Sequence, residues 1–415
     1  MTQRLPQVHA LLSHPGAAEA LLPVLRAIPP HRAAVAAVAP RWPGVCEGVP
    51  AGPGPLLASL LPTAGPICDV LLVHADPWHP LAGWAAAAAG AVRERGGRIL
   101  AIQRGAFYGD PPPPSLDPDY LLARGATTPD ASEGDRSHAR MPWDGIALWG
   151  PAFAPSLPPG ARHTIAGSPV LERIVRGELA SQSPRMARHA ARMEVTRVLG
   201  LHPSAIPVMI ATKLHGHWWP EDRVAALLAG IVEGVRKQGL EPFVVPHPRD
   251  GAEALRVYRD VLVEAKVERP VVVSPRHWRK LEPGAWYLGV GAVVSQGGAE
   301  GVLAAALGTP ALAVVPPDTP YWAAPVAVPD GHYRVVRDPL AYVRDGVDAG
   351  LAALSGKPHD PLSFREHAIR AEGAAEQVAR AALDLTHRRR KARPTRTAAE
   401  SRPQVEVATE HAAAR

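Results

Sequence analysis

The chain has 415 residues, 45 lysines and arginines against 39 aspartates and glutamates, and a formal net charge of +6. That length exceeds one ordinary core, so two α/β domains with additions are expected. Cys46 and Cys68 have neither metal-ligand spacing nor a partner histidine pattern, which argues against a disulfide scaffold and a zinc site. The start lacks the apolar run of a secretory leader, and no window approaches the ~18 strongly apolar residues of a membrane span, so a soluble, cytoplasmic protein is expected.

Gln7 to Ser13 reads as a strand, His14 to Gly16 as a turn, Ala17 to Ala27 as a helix and Arg32 to Val38 as a second strand. Asp69 to His74 is a strand of the buried type, Trp84 to Arg95 an alanine-rich helix and Arg98 to Gln103 another strand. This alternation predicts a parallel sheet with helices on both faces, whose ligands collect at the carboxyl ends of the strands. The turns of interest are then His14-Pro15-Gly16, His74-Ala75-Asp76 and Gln103-Arg104-Gly105.

Asp110 to Gly145, rich in Pro, Asp and Gly, predicts a long irregular excursion with one short element at Tyr120 to Ala123. Pro151 to Pro159 is proline-rich and precedes His163 to Ile174, which puts a domain boundary nearby. Beyond it come a helix over Arg185 to Leu199, a strand over Pro207 to Thr212 and an amphipathic helix over Asp222 to Gln238. A strand over Pro242 to Pro246 runs into His247-Pro248-Arg249, followed by a helix over Leu255 to Glu264, a strand over Pro270 to Ser274 and a helix starting at Trp278. Ala311 to Pro316 is the last clear strand, and Pro361 to Leu385 reads as one long closing helix. The expected organisation is a first domain over 1–165, a second over 166–386 and a disordered basic tail over 387–415. That tail carries eight basic and three acidic residues, a composition suited to a polyanion such as nucleic acid and equally to a solvated end.

The stretch Val293 to Val315 is the most informative. A short apolar strand enters Ser295-Gln296-Gly297-Gly298, then comes an alanine-rich helix bearing Glu300, then a Gly308-Thr309-Pro310 stop and a second strand. Paired glycines let a backbone approach a ligand, and the positive end of the following helix suits a phosphate or pyrophosphate. Ser295, Gln296, Gly297, Gly298 and Glu300 are therefore candidate nucleotide-binding residues. The strand end Thr212-Lys213-Leu214-His215 adds a cation and an imidazole, and His247 and Arg249 come from a neighbouring strand end. Each has a plainer reading, Lys213 as a solvent-facing side chain and His247 as a turn cap. Asp76 and His14, ending strands of the first sheet, are candidate bases for an acceptor hydroxyl, although Asp76 also fits a helix cap and His14 a turn. His215, His217, Trp218 and Trp219 form an aromatic cluster suited to a sugar or base ring, or to a domain interface.

With these residues in place the chain resembles the two-domain GT-B glycosyltransferases, in particular the branch that includes the non-hydrolysing UDP-N-acetylglucosamine 2-epimerases. The resemblance covers roughly residues 7 to 385. The segment from Pro15 to Leu25 is similar to that group's Pro-Glu-Ala helix start, and His74-Ala75-Asp76 stands where the group has His-Gly-Asp. Gly167-Ser168-Pro169-Val170 resembles its Gly-Asn-Pro-Val, Val245-Pro246-His247-Pro248 its Tyr-Pro-Val-His-Pro, and Ser295-Gln296-Gly297-Gly298 its Asp-Ser-Gly-Gly. The resemblance implies two Rossmann-like domains facing across a cleft, and a nucleotide sugar as substrate rather than a bound cofactor. Two departures weigh against epimerisation. Ile102-Gln103-Arg104-Gly105 lacks the group's glutamate, and Val302 and Leu303 stand where it places one or two glutamates, one of them holding the ribose. A metal-independent glycosyltransferase is the leading implication, with helix N-terminus and cations stabilising the leaving phosphate. A sugar-nucleotide 2-epimerase and a non-catalytic binding protein on the same scaffold are the alternatives.

Overall fold

The computed structural model describes residues 7–12, 15–38, 68–75, 84–103, 143–157, 160–179, 183–212, 221–247, 250, 252–296, 298–315, 333–337, 339–355 and 361–392. The short element expected at 120–123 and the chain beyond 392 lie outside these residues.

The first half builds one sheet from β1 Val8–Leu12, β2 Ala33–Val38, β3 Val70–Ala75, β4 Arg98–Gln103, β5 Gly145–Leu148 and β6 His163–Ile165. Its spatial order is β2-β1-β3-β4-β5-β6, and every pairing is parallel. Strands β1 and β5 are buried along their whole length, as apolar parallel strands covered on both faces are. Helices α1 Pro15–Arg26 and α2 Trp84–Glu94 follow β1 and β3. Strands β5 and β6 escape the sequence reading because four and three residues are too few to show a period.

The chain crosses to the second half through α3 Pro169–Ile174 and α4 Pro184–Leu199. There the elements are β7 Pro207–Ala211, α5 Glu221–Lys237, β8 Glu241–Val245, α6 Ala252–Glu264, α7 Pro275–Trp278, α8 Pro283–Leu288, β9 Ala292–Ser295, α9 Ala299–Ala306, β10 Ala311–Val314, β11 Tyr333–Val336 and α10 Val343–Leu354. The five strands form a parallel sheet in the order β11-β10-β9-β7-β8. Period two is plain here: Val208 and Ile210 enter the core under α5 and α10, while Met209 faces the core that continues toward the first sheet. The strand expected over 270–274 is a single parallel bridge, Val244 to Val272, between flanking prolines that donate no ladder hydrogen bond. Counting that bridge, the order becomes third, second, first, fourth, fifth, sixth, that of a dinucleotide-binding sheet with its switch point between β7 and β9. Strand β11 and helix α10 were not foreseen.

The closing helix is also two helices, α11 Pro361–Ala368 and α12 Ala374–Ala392, and not one. The break is held by backbone bonds to the first half: Arg370 N donates to Trp149 O at 2.8 Å, and Ser168 N donates to Arg370 O at 2.8 Å. Gly373 takes a positive φ of 65° in the turn that leads into α12. Helix α12 then packs on the first sheet, where Ala375, Val378, Ala379 and Ala382 share a core with Val8, Leu21, Val70 and Ile102. It continues past 387, where the tail was expected to begin.

Glu172, on α3, caps this returning helix. Its carboxylate accepts from Gly373 N at 3.1 Å and Ala375 N at 2.8 Å, and Arg176 lies 2.7 Å away. The residue is 4% exposed, so a lost acceptor is not replaced by water. Glu172→Ala is expected to lower the unfolding free energy by about 2–3 kcal/mol, read by urea denaturation.

Candidate functional site

At the switch point of the second sheet, Ala211 of β7 pairs with Ser295 of β9, and Gln296 N donates to Ala211 O at 3.3 Å. The chain then turns into α9, whose N-cap is Gly298. Gly298 has φ −92° and ψ 177°, extended backbone open to any residue, so it is not a glycine for conformational reasons. A Cβ there would stand 1.9 Å from Glu300 Oε2, because the Glu300 side chain folds back over the turn. A carboxylate thus lies over the positive end of α9, a favourable place for negative charge. Gly297 lies outside the described residues. Ser295 is 1% exposed with its hydroxyl toward Leu312 O at 3.5 Å, and Gln296 is 6% exposed.

The far end of α9 is closed by arginines: Arg365 Nε donates to Ala306 O at 2.7 Å and Arg188 to Leu307 O at 2.9 Å. Gly308, at φ 82°, completes the expected Gly-Thr-Pro stop, and Thr309 Oγ1 donates to Tyr287 O at 2.8 Å. Val302 and Leu303, where the resemblance calls for glutamates, are buried in the core at 0% and 8% exposure.

Beside the switch point, β7 ends at Ala211 and Thr212, and β8 leads through Val245 to the half-buried His247. Asp250 joins them. Its Oδ2 accepts from Thr212 Oγ1 at 3.2 Å, from His247 N at 2.8 Å and from the Tyr258 hydroxyl at 2.8 Å. The backbone bond from Asp250 N to His247 O, 2.9 Å, closes the turn. This aspartate was missed in the sequence. Its signal was an Asp three residues after His247 in a Pro-containing turn, where Asx side chains bind nearby backbone. Lys213, His215, Arg249 and the paired tryptophans 218–219 lie outside the described residues.

In the first sheet, the strands that lead to His14 and Asp76 are β1 and β3, which pair directly where the strand order reverses. His14 and Asp76 themselves lie outside the described residues. Gln103, at the end of β4, is fully buried and accepts from Trp149 N at 2.8 Å. A cavity of about 240 Å³ lined by Gly145, His163, Thr164 and Asp384 opens at the amino ends of β5 and β6, the opposite edge of that sheet. Among the described residues no group of three His, Cys, Asp or Glu is placed to hold a metal, and no helix is long and apolar enough to cross a membrane.

Two tyrosines sit in this region with phenols held protonated. Burial pushes Tyr287 well above its usual pKa, and the carboxylates of Glu300, in the second half, and Glu19, in the first, push it further. Burial also raises Tyr258, with the Asp250 charge adding to it. A raised phenol contributes stability that is complete below the unfolded tyrosine's value of about 10 and is lost as pH rises through and beyond it. The unfolding free energy is expected to fall by about 1.4 kcal/mol per pH unit for each of the two above about pH 10. Tyrosinate absorbance checks this: both residues ionise only with unfolding, and Tyr258→Phe removes one share.

No family model matches the chain, and no curated protein matches it in sequence. Solved structures do. A putative UDP-N-acetylglucosamine 2-epimerase from Listeria monocytogenes superposes with a TM-score of 0.56 at 13% identity, covering 94% of this chain and 99% of that one. The UDP-GlcNAc 2-epimerase of Methanocaldococcus jannaschii, in complex with UDP-GlcNAc and UDP, gives 0.56 at 11% identity over 90% and 99%. MnaA of S. aureus, solved with UDP, gives 0.53 at 12% over 92% and 98%. The fold is GT-B. Both halves and the returning C-terminal helices fall within the matched span, and identities this low carry the fold alone.

Proposed function

We propose that this GT-B protein is a glycosyltransferase that moves a sugar, or a similar group, from a nucleotide-activated donor to an acceptor chosen by the first domain. The observation that carries the reading is the switch point of the second sheet, where β7, β9 and the N-terminus of α9 converge in the strand order of a dinucleotide-binding sheet. On this reading the helix end, Lys213, His215, His247 and Arg249 receive the donor's phosphates. They stabilise the charge that grows on the leaving group, with no metal required. Asp76 or His14, following the two strands at the first sheet's switch point, takes the acceptor proton. On the same reading Glu300 takes the ribose in place of the family's glutamates.

Epimerisation is the second reading, favoured by the similarity of the whole chain to 2-epimerase structures. Buried Val302 and Leu303 speak against it, since neither accepts a hydroxyl hydrogen bond. Thermal shift and calorimetry against UDP, CDP, CMP, GDP and TDP test the common element, because a nucleotide bound only by the folded protein raises its melting temperature. Product analysis with the matching nucleotide sugar then separates transfer, isomerisation and binding without turnover. A protein that none of the five nucleotides stabilises at millimolar concentration is not a donor-binding enzyme.

A further inference from the structure

We infer that Asp250 is a positioning residue of the donor site: it locks the turn carrying His247 onto the end of β7, so that the two strand ends meet the donor's phosphates as one unit. The inference rests on the donor-site reading above. One carboxylate oxygen, Asp250 Oδ2, collects donors from three separate elements: Thr212 at the end of β7, His247 after β8, and Tyr258 inside α6. Those strands are neighbours, with Ala211 opposite Val245, and Thr212 N donates to Val245 O at 3.1 Å. The carboxylate therefore ties together the two chain segments from which Lys213 and His247 emerge.

The donors are fixed in their turn. Tyr258 is fully buried and burial raises its phenol, which donates to Asp250 Oδ2 at 2.8 Å. Thr212 is 6% exposed, and its hydroxyl lies within hydrogen-bond distance of Asp250 Oδ2, at 3.2 Å, and of Val245 O, at 3.4 Å, so it braces the strand end. Bonds to a charged acceptor are the strong ones, and three converging on one atom hold the turn in one conformation before a ligand arrives. A site whose donors stand ready spares the donor complex the cost of ordering them.

The full-length chain is tested with UDP, CDP, CMP, GDP and TDP as probes. Asp250→Ala is expected to weaken binding of the probe that the unaltered protein prefers by about tenfold or more, with kcat/KM for the matching sugar nucleotide falling in parallel. Asp250→Asn, whose amide oxygen still accepts, recovers most of that loss, and Tyr258→Phe shows a smaller one. Hydrogen exchange supplies a reading independent of any ligand: the His247 amide exchanges about a hundredfold faster in Asp250→Ala while the β8 core stays protected. A His247 amide that exchanges at the original rate overturns the inference. So does fast exchange accompanied by unchanged affinity, which marks a structural brace with no part in the site. Should Asp250→Ala fail to fold, Asp250→Asn and Tyr258→Phe carry the same comparison. An unaltered protein that binds none of the five probes overturns the donor-site reading and this role with it, whereas one that binds while Asp250→Ala binds equally well overturns this role alone.

Discussion

Gly167→Val is expected to lower the unfolding free energy by about 3–5 kcal/mol. Two costs combine. Gly167 has φ 91°, a backbone region that a β-branched side chain adopts only with strain. A Cβ at this position would also stand 2.7 Å from Arg370 O and 3.0 Å from the Ala374 Cβ, and the first of these is backbone already bonded to Ser168 N. Neither neighbour swings away, because the Arg370 segment is pinned on one side by Trp149 and on the other by the cap from Glu172. Urea denaturation followed by tryptophan fluorescence measures the loss. A valine variant within about 1 kcal/mol of the original protein contradicts the close packing of this crossing.

Gly298→Val is expected to do the reverse, costing the fold little and the ligand much. Its φ and ψ suit valine, so strain is absent, and the nearest atom is the end of a flexible Glu300 side chain. The stability change is expected to stay under about 1 kcal/mol. Binding is another matter, because the new side chain covers the start of α9 and pushes Glu300 off it. Affinity for the preferred nucleotide is expected to drop by about a hundredfold or more, near 2.7 kcal/mol, in calorimetry. Glu300→Ala gives the sign of the carboxylate's contribution. Weaker binding makes Glu300 a ligand of the ribose; tighter binding makes it a stand-in anion that a phosphate displaces from the helix end.

Much of the frame was legible because parallel strands buried on both faces are written as apolar runs. Val8–Leu12, Arg98–Gln103 and Ala292–Ser295 carry that signature, and β4 was bounded correctly at both ends. Five short motifs in order led to GT-B. The losses share a cause: GIAL, HTI and YRVV are strands only because neighbours already form an edge for them, a tertiary fact with no local trace. The break in the closing helix is similar, since Trp149 and Ser168 bind the Arg370 segment from far away in the chain. At the site, the turn around Gly298 was legible but the folding back of Glu300 over it was not, because that is a packing event. Asp250 was illegible as a hub, since one partner lies eight residues downstream and another thirty-eight upstream.

Helix α12 completes a core begun by Val8, with nearly the whole chain between them. On a ribosome this inverts the usual order of events, in which what is made first folds first. All five described strands of the second sheet and α10 are present once residue 354 has emerged, whereas the face of β1 and β3 that α1 partly covers still lacks α12. The first sheet is thus the earliest part synthesised and the last part finished. A nascent chain that has exposed residues only to 354 carries all five described strands of the second sheet, one face of which still awaits Phe364 and Ala368, and an aggregation-prone first sheet.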